Sequence, residues 1–157
     1  VPEGLEYGDY VVNSYHVDPR ENIDAFTKLE IEGEYLALSA GGAVSYVETL
    51  DLSHNKEAII SIIQWMHEHI VYAEFNRKIG VCYQCGYEGD IELTKTTDGD
   101  FVFTCPCCGN RDDSKMNVVG RLCGYLGQIS SGNTNKGRLD DIYHREIHLD
   151  CAEEATL

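Results

Sequence analysis

The sequence predicts an α+β fold with strands and one long helix in its first half, a small cysteine-rich ribbon in the middle, and a glycine-bearing loop with a tail at the end. Three observations carry that reading. Apolar residues recur at helical spacing between about Asn55 and Phe75, two Cys-x-x-Cys pairs sit among short β-rich segments, and the run Arg121-Leu122-Cys123-Gly124-Tyr125-Leu126-Gly127 follows them. These divide the chain into residues 1–79, 80–112 and 113–157.

The elements are justified in order along the chain. Residues 10–17 (Tyr10 to Val17) are rich in β-branched and aromatic types and read as a strand ended by Asp18-Pro19. Ile23, Phe26 and Leu29 suggest a short helix over about residues 21–31, and Leu38-Ser39-Ala40-Gly41-Gly42 breaks the order as a turn. Ala43 to Glu48 alternates like a second strand. The clearest element is the helix from about Asn55 to Phe75, where Ile59, Ile62, Ile63, Met66 and Ile70 share one face and Ser53 or Asn55 can cap the first turn. His67 and His69 lie two apart on it and face different ways, so both read, like Trp65, as surface or packing residues. Beyond the ribbon, Met116 to Leu122 suggests a strand, Ser130 to Asn135 a polar loop, and Arg138 to His148 a last helix.

Composition narrows the functional classes. A hydrophobic content of 43% over 157 residues suits a folded domain with a modest extra module. The net charge of -15 is concentrated early: residues 1–60 carry three Lys or Arg against twelve Asp or Glu. An acidic first third repels phosphate backbones, which argues against nucleic-acid binding by a basic face. No segment reaches the roughly 20 apolar residues of a membrane-spanning helix. The opening Val1-Pro2-Glu3-Gly4 resembles neither a signal peptide nor an initiator methionine, so the chain reads as internal or processed. Seven cysteines, an odd number with four in metal-ligand spacing, point to a reducing cytoplasm rather than to a secreted disulfide scaffold.

Cys82-x-x-Cys85 and Cys105-x-x-Cys108 are separated by 19 residues, the spacing of a four-thiolate zinc site. Two cysteines three apart on a tight turn can reach one ion, and a second such turn completes a tetrahedron. Gly86 and Gly109 follow the second cysteine of each pair, where such a knuckle needs a residue tolerant of positive φ. Ile91 to Thr94 and Phe101 to Thr104 read as the ribbon strands. Disulfides, a redox dithiol pair or an iron–sulfur cluster remain alternatives; Cys107 is left out of the ligand set, and four ligands with no open position make the metal structural.

Gly124 has two readings. On pattern alone, it and Gly127 are turn residues after a strand. Yet an unpaired electron on a backbone α-carbon is stabilised when that carbon is planar and conjugated with both flanking peptides, and only glycine has no side chain to crowd the arrangement. The order of motifs decides what the chain resembles: cysteine knuckles, Cys108-Gly109-Asn110, Arg121-x-Cys123-Gly124-Tyr125-Leu126-Gly127, Asn135-Lys136-Gly137-Arg138 and Arg145-x-x-His148, with Asn13-Ser14-Tyr15-His16 and Ser39-Ala40-Gly41-Gly42 upstream. This series resembles the C-terminal end of the anaerobic (class III) ribonucleoside-triphosphate reductases, which are glycyl radical enzymes. Phe26 to Leu36 and the tail Asp150 to Glu154 carry no motif of that family, and Cys123 and Cys151 remain unassigned.

The resemblance implies that the strands and helix of residues 1–79 belong to an α/β barrel completed elsewhere, that Cys82, Cys85, Cys105 and Cys108 hold zinc, and that Gly124 stores the radical. It implies three partners: a separate activating enzyme using S-adenosylmethionine and an iron–sulfur cluster, an N-terminal catalytic part holding the thiyl-forming cysteine, and a ribonucleoside triphosphate bound mainly by that part. It implies a homodimer for the full enzyme and formate or a thiol system as reductant. Two further readings are a spare radical module that docks on a damaged enzyme, and a zinc-ribbon binding module whose glycine loop is incidental.

Overall fold

The computed structural model describes residues 15–53, 55–121 and 126–149, in two compact units. The first contains residues 15–77 and 145–149, the second residues 78–144.

In the first unit, α1 (Ala25–Leu36) begins at Asp24, whose carboxylate accepts from the Phe26 and Thr27 N–H groups that the first turn leaves without partners. The helix starts and ends later than the expected 21–31. Its buried face is Ala25, Lys28, Leu29, Glu32 and Leu36, and two charged residues on that face conceal the period from an apolar count. They form an ion pair at 2.7 Å with almost no exposure, and Glu32 also accepts from the Val17 N–H at 3.0 Å. The strand expected over residues 10–17 is not seen where it can be judged: Tyr10 to Ser14 lie outside the described residues, and residues 15–17 are irregular.

The turn at residues 37–41 leads to β1 (Ser45–Glu48), whose Ser45 and Val47 point inward. Next comes α2 (Lys56–His69), capped by the Asn55 side chain accepting from Ala58 N–H. It stops six residues short of the expected Phe75, because Ile70 turns extended and Ala73–Asn76 forms β2, parallel to β1 with Ser45 opposite Ala73 and Glu48 opposite Asn76. The apolar period ends at Ile70, and beyond it the β-branched and aromatic run Ile70-Val71-Tyr72 favours extended backbone and the pairing partner decides. A strand, a helix and a parallel strand make a βαβ unit. Its core is Ala25, Leu29, Val47, Leu52, Ile62 and Leu149, flanked by Phe26, Ile59, Trp65 and Met66. His67 and His69 are exposed, and His69 stacks on Trp65 at 4.3 Å.

Residues 145–149 are laced onto this unit rather than helical. His148 donates its N–H to Glu48 O, Ala25 donates to His148 O, and Leu149 bridges to Thr49 in parallel. The expected helix over 138–148 is therefore shorter.

The second unit contains a sheet of order β4-β3-β7-β8, made from β3 (Ile79–Cys82), β4 (Tyr87–Gly89), β7 (Met116–Arg121) and β8 (Leu126–Ile129). A separate hairpin pairs β5 (Glu92–Lys95) with β6 (Phe101–Thr104), close to the two ribbon strands expected. α3 (Lys136–Tyr143), capped by Asn135, closes the unit. The core gathers Cys82, Ile91, Phe101, Phe103, Cys105, Met116, Val118, Ile129 and Leu139. Gly80 is a packing requirement here: a Cβ on it would lie 2.2 Å from Ile91 Cγ1.

Candidate metal centre and glycine loop

Both knuckles are built alike. Cys82 ends β3 and its carbonyl accepts from Gly86 N–H at 2.8 Å; Cys105 follows β6 and its carbonyl accepts from Gly109 N–H at 2.9 Å. Gly86 and Gly109 have φ of 74° and 71°, the left-handed conformation that closes each turn and that a side chain would disfavour by about 1–2 kcal/mol. The turns bring Cys82, Cys85, Cys105 and Cys108 together, with all four sulfurs within 4.8 Å of one another. Cys82 and Cys105 are buried, while Cys85 and Cys108 are exposed.

The distances separate the alternatives. Cys82 and Cys108 sulfurs lie 3.7 Å apart, as do those of Cys85 and Cys105. A disulfide needs about 2.05 Å, and these thiols are free. Four sulfurs about 2.3 Å from one tetrahedral ion would stand about 3.8 Å from each other. The cluster thus has the dimensions of a site for a single metal ion, which it could hold.

Its electrostatics agree. Burial opposes ionisation of Cys82, but the N–H groups of Gln84 and Cys85 and the thiols of Cys108 and Cys105 outweigh it and bring the pKa down to about 6. At Cys85 the Tyr87 N–H favours the thiolate, yet burial and the three facing thiols push the pKa far up. At Cys108 the Asn110 N–H likewise favours the thiolate, but burial and the thiols of Cys105 and Cys82 raise the pKa. A divalent ion binding here would displace the thiol protons.

Gly124 lies outside the described residues, as do Leu122, Cys123 and Tyr125. Its flanks are described. Arg121 at the end of β7 pairs with Leu126 at the start of β8. At its other end β7 pairs with β3, setting Met116 opposite Cys82. The strand leading toward Gly124 is therefore hydrogen-bonded to the strand that carries the first cysteine, with Ile79 to Cys82 paired to Met116 to Val119. The base of this arrangement is tied down by Asp113, which accepts from the Ser131 N–H at 2.6 Å and from Gly132 at 3.4 Å. Asp113 and the side chain of Asn110 were not singled out from sequence. The only signal was Asn110 following Gly109 in a recurring motif.

A family model for anaerobic ribonucleoside-triphosphate reductase matches residues 3–148. The chain belongs to that family. It is 34% identical over 149 residues to the anaerobic ribonucleoside-triphosphate reductase of Haemophilus influenzae, covering 95% of this chain and 20% of the relative. Against that of Enterobacteria phage T4 the identity is 35% over 139 residues, 88% of this chain and 22% of the relative. The chain thus spans about a fifth of the length of the curated relatives it matches. A solved anaerobic ribonucleotide reductase aligns with a TM-score of 0.56 at 23% identity, over 83% of this chain and 19% of that one, and so shares its fold. Among the described residues no helix is long and apolar enough to cross a membrane.

Proposed function

We propose that this chain is the C-terminal, glycyl-radical-bearing part of an anaerobic ribonucleoside-triphosphate reductase, an oxidoreductase that makes deoxyribonucleotides, and that it acts only when joined to an N-terminal catalytic part. The observation that carries this reading is the continuous hydrogen-bonded path from Cys82 on β3 to β7 and the segment bearing Gly124, in a chain of this family.

Cys82, Cys85, Cys105 and Cys108 hold zinc in this reading. Four thiolates leave the ion no open position, so its contribution is to fix the two knuckles and through them β3 and β7. Gly124 then supplies the stored radical: an activating enzyme using S-adenosylmethionine and an iron–sulfur cluster removes one hydrogen atom from its α-carbon. The electron left behind is delocalised over the two flanking peptides. The radical passes to a cysteine of the catalytic part, which also binds the ribonucleotide.

The first unit supports the partnership. Parallel sheets occur almost only within larger α/β assemblies covered on both faces, whereas here two parallel strands and one crossover helix stand as an incomplete set, with Ile60 and Ile63 exposed on α2. Strands from the catalytic part would extend this set into a barrel. A spare radical module would have little use for such a unit.

The test is electron paramagnetic resonance after anaerobic incubation of the chain, with its catalytic part, with the activating enzyme, S-adenosylmethionine and a reductant. A glycyl doublet that vanishes in Gly124→Ala is expected. No doublet in the wild type, or one that persists in the Ala variant, sinks the radical assignment. Metal analysis of anaerobically purified protein should find about one zinc per chain, the stoichiometry of a single tetrahedral site; iron instead of zinc rejects the metal assignment alone.

A further inference from the structure

Asn110 directly follows the second knuckle and is only 8% exposed, though asparagine ordinarily lies at the surface. Its groups turn to the cysteine cluster. Its carbonyl accepts from the Cys105 N–H at 2.9 Å, and its own N–H donates to the Cys108 sulfur. Its side-chain Nδ2 reaches across to the other knuckle and donates to the Cys82 sulfur at 3.7 Å. The amide cannot be turned round without loss. Oδ1 accepts from the Asp112 N–H at 3.1 Å, and that backbone group can only donate, so Nδ2 must face the sulfur, with the Asp112 carbonyl as a second acceptor at 3.5 Å.

We propose that Asn110 is a positioning residue of the metal centre, whose buried side-chain N–H joins the second knuckle to the first and stabilises the Cys82 thiolate against the charge of the other three. The inference rests on the reading of the four cysteines as metal ligands. Four thiolates around one divalent ion carry a net charge of about -2, and a half-buried site cannot spread that charge into water. Donors aimed at the sulfurs offset it, and the residues that supply them hold each ligand in the orientation the metal needs. Gln84 also points at the cluster, but from the surface and at 4.0 Å from the Cys108 sulfur, so it contributes less. Asn110 touches three of the four cysteines from a buried position.

The test uses the full chain and two variants. Asn110→Leu keeps the volume and removes the donor, and Asn110→Asp keeps the shape and places a carboxylate oxygen near the sulfur. Zinc affinity is read by competition with a chromophoric chelator, and the cobalt(II)-loaded protein by its sulfur-to-metal charge-transfer band. Both variants should bind zinc about 10–100-fold more weakly, the range seen when an outer partner of a ligand is lost. Asp should be the weaker of the two. The cobalt band should move to lower energy in Asn110→Leu, because a thiolate without its N–H partner gives up charge more readily; a purely structural role would leave the loaded band in place. Wild-type affinity and an unshifted band in both variants overturn the inference while leaving the metal reading intact. Failure of the wild-type chain to take up zinc or cobalt overturns both.

Discussion

The two units solve the problem of a small interior in different ways. Residues 15–77 with 145–149 bury an apolar seam between α1, β1 and α2 and fold polar groups into it: Lys28 and Glu32 are paired, and His148 is 2% exposed with its Nδ1 accepting from the Glu48 N–H. Residues 78–144 have strands of only three to six residues, and their interior includes two of the four converging cysteines. The first unit relies on contacts that are always present. The second has in addition four converging thiols that a single cation could join. If the proposed metal is bound there, stability is intrinsic in one and conditional in the other, and the conditional unit carries the strand that leads to Gly124.

Removing the metal should divide the units most sharply. A structural zinc site contributes on the order of 10 kcal/mol to the fold it closes, so a strong chelator should abolish hydrogen-exchange protection in β3 and β7 while the amides of α2 stay protected. Equal loss in both units would end the distinction.

Next in size is Lys28→Met, which leaves Glu32 buried without its counter-ion and should cost about 3–5 kcal/mol, read by urea unfolding. Adding Glu32→Leu should recover much of that loss, because the unpaired charge goes too, although the Val17 N–H then lacks its acceptor. A single variant within about 1 kcal/mol of wild type would be the behaviour of a surface pair and would contradict the buried one.

Gly80→Ala should cost about 1–3 kcal/mol by overpacking, since its Cβ meets Ile91 inside the second unit. The loss should persist with zinc saturated. If it appears only in the stripped protein, packing is subordinate to the metal.

The smallest effect, absent at neutral pH, concerns His148. Burial, with Lys28 next in strength and Arg145 adding to it against the opposing charges of Glu32 and Asp24, lowers its pKa from 6.5 to about 4. The unfolded chain therefore holds more protons between those values, and stability of the first unit should be full above about pH 6.5 and decline as the pH falls toward about 4. His148→Gln should flatten that slope. An unchanged slope in the variant would assign the acid sensitivity to other groups.

Local rules made much of this legible from residues alone. Each Cys-x-x-Cys-Gly turn is closed by contacts within five residues, which is why Gly86 and Gly109 take the positive φ their positions suggest. α2 was visible because Ile59, Ile62, Met66 and Ile70 keep its period, and Asn55 caps it as a short polar side chain can. α1 was displaced because its buried face includes Lys28 and Glu32, which look like surface residues until they are paired. The expected α2 is too long because its end has no local stop signal such as Gly or Pro, and nothing local says that Ala73–Asn76 will find β1. The last helix ends before the expected His148 because His148 and Leu149 instead bond to Glu48, about a hundred positions earlier.

The sequence by itself determined the spacing of the four cysteines, the knuckle turns, the principal helix and the order of motifs that mark the family, since each depends on neighbours along the chain. Tertiary structure decided that β1 lies parallel to β2, that β3 joins the strand before Gly124, and that Asn110 reaches across to Cys82. Those partners lie 28 to 40 residues apart, and only burial, backbone pairing and the cost of an unsatisfied polar group select them from the many the chain could have met.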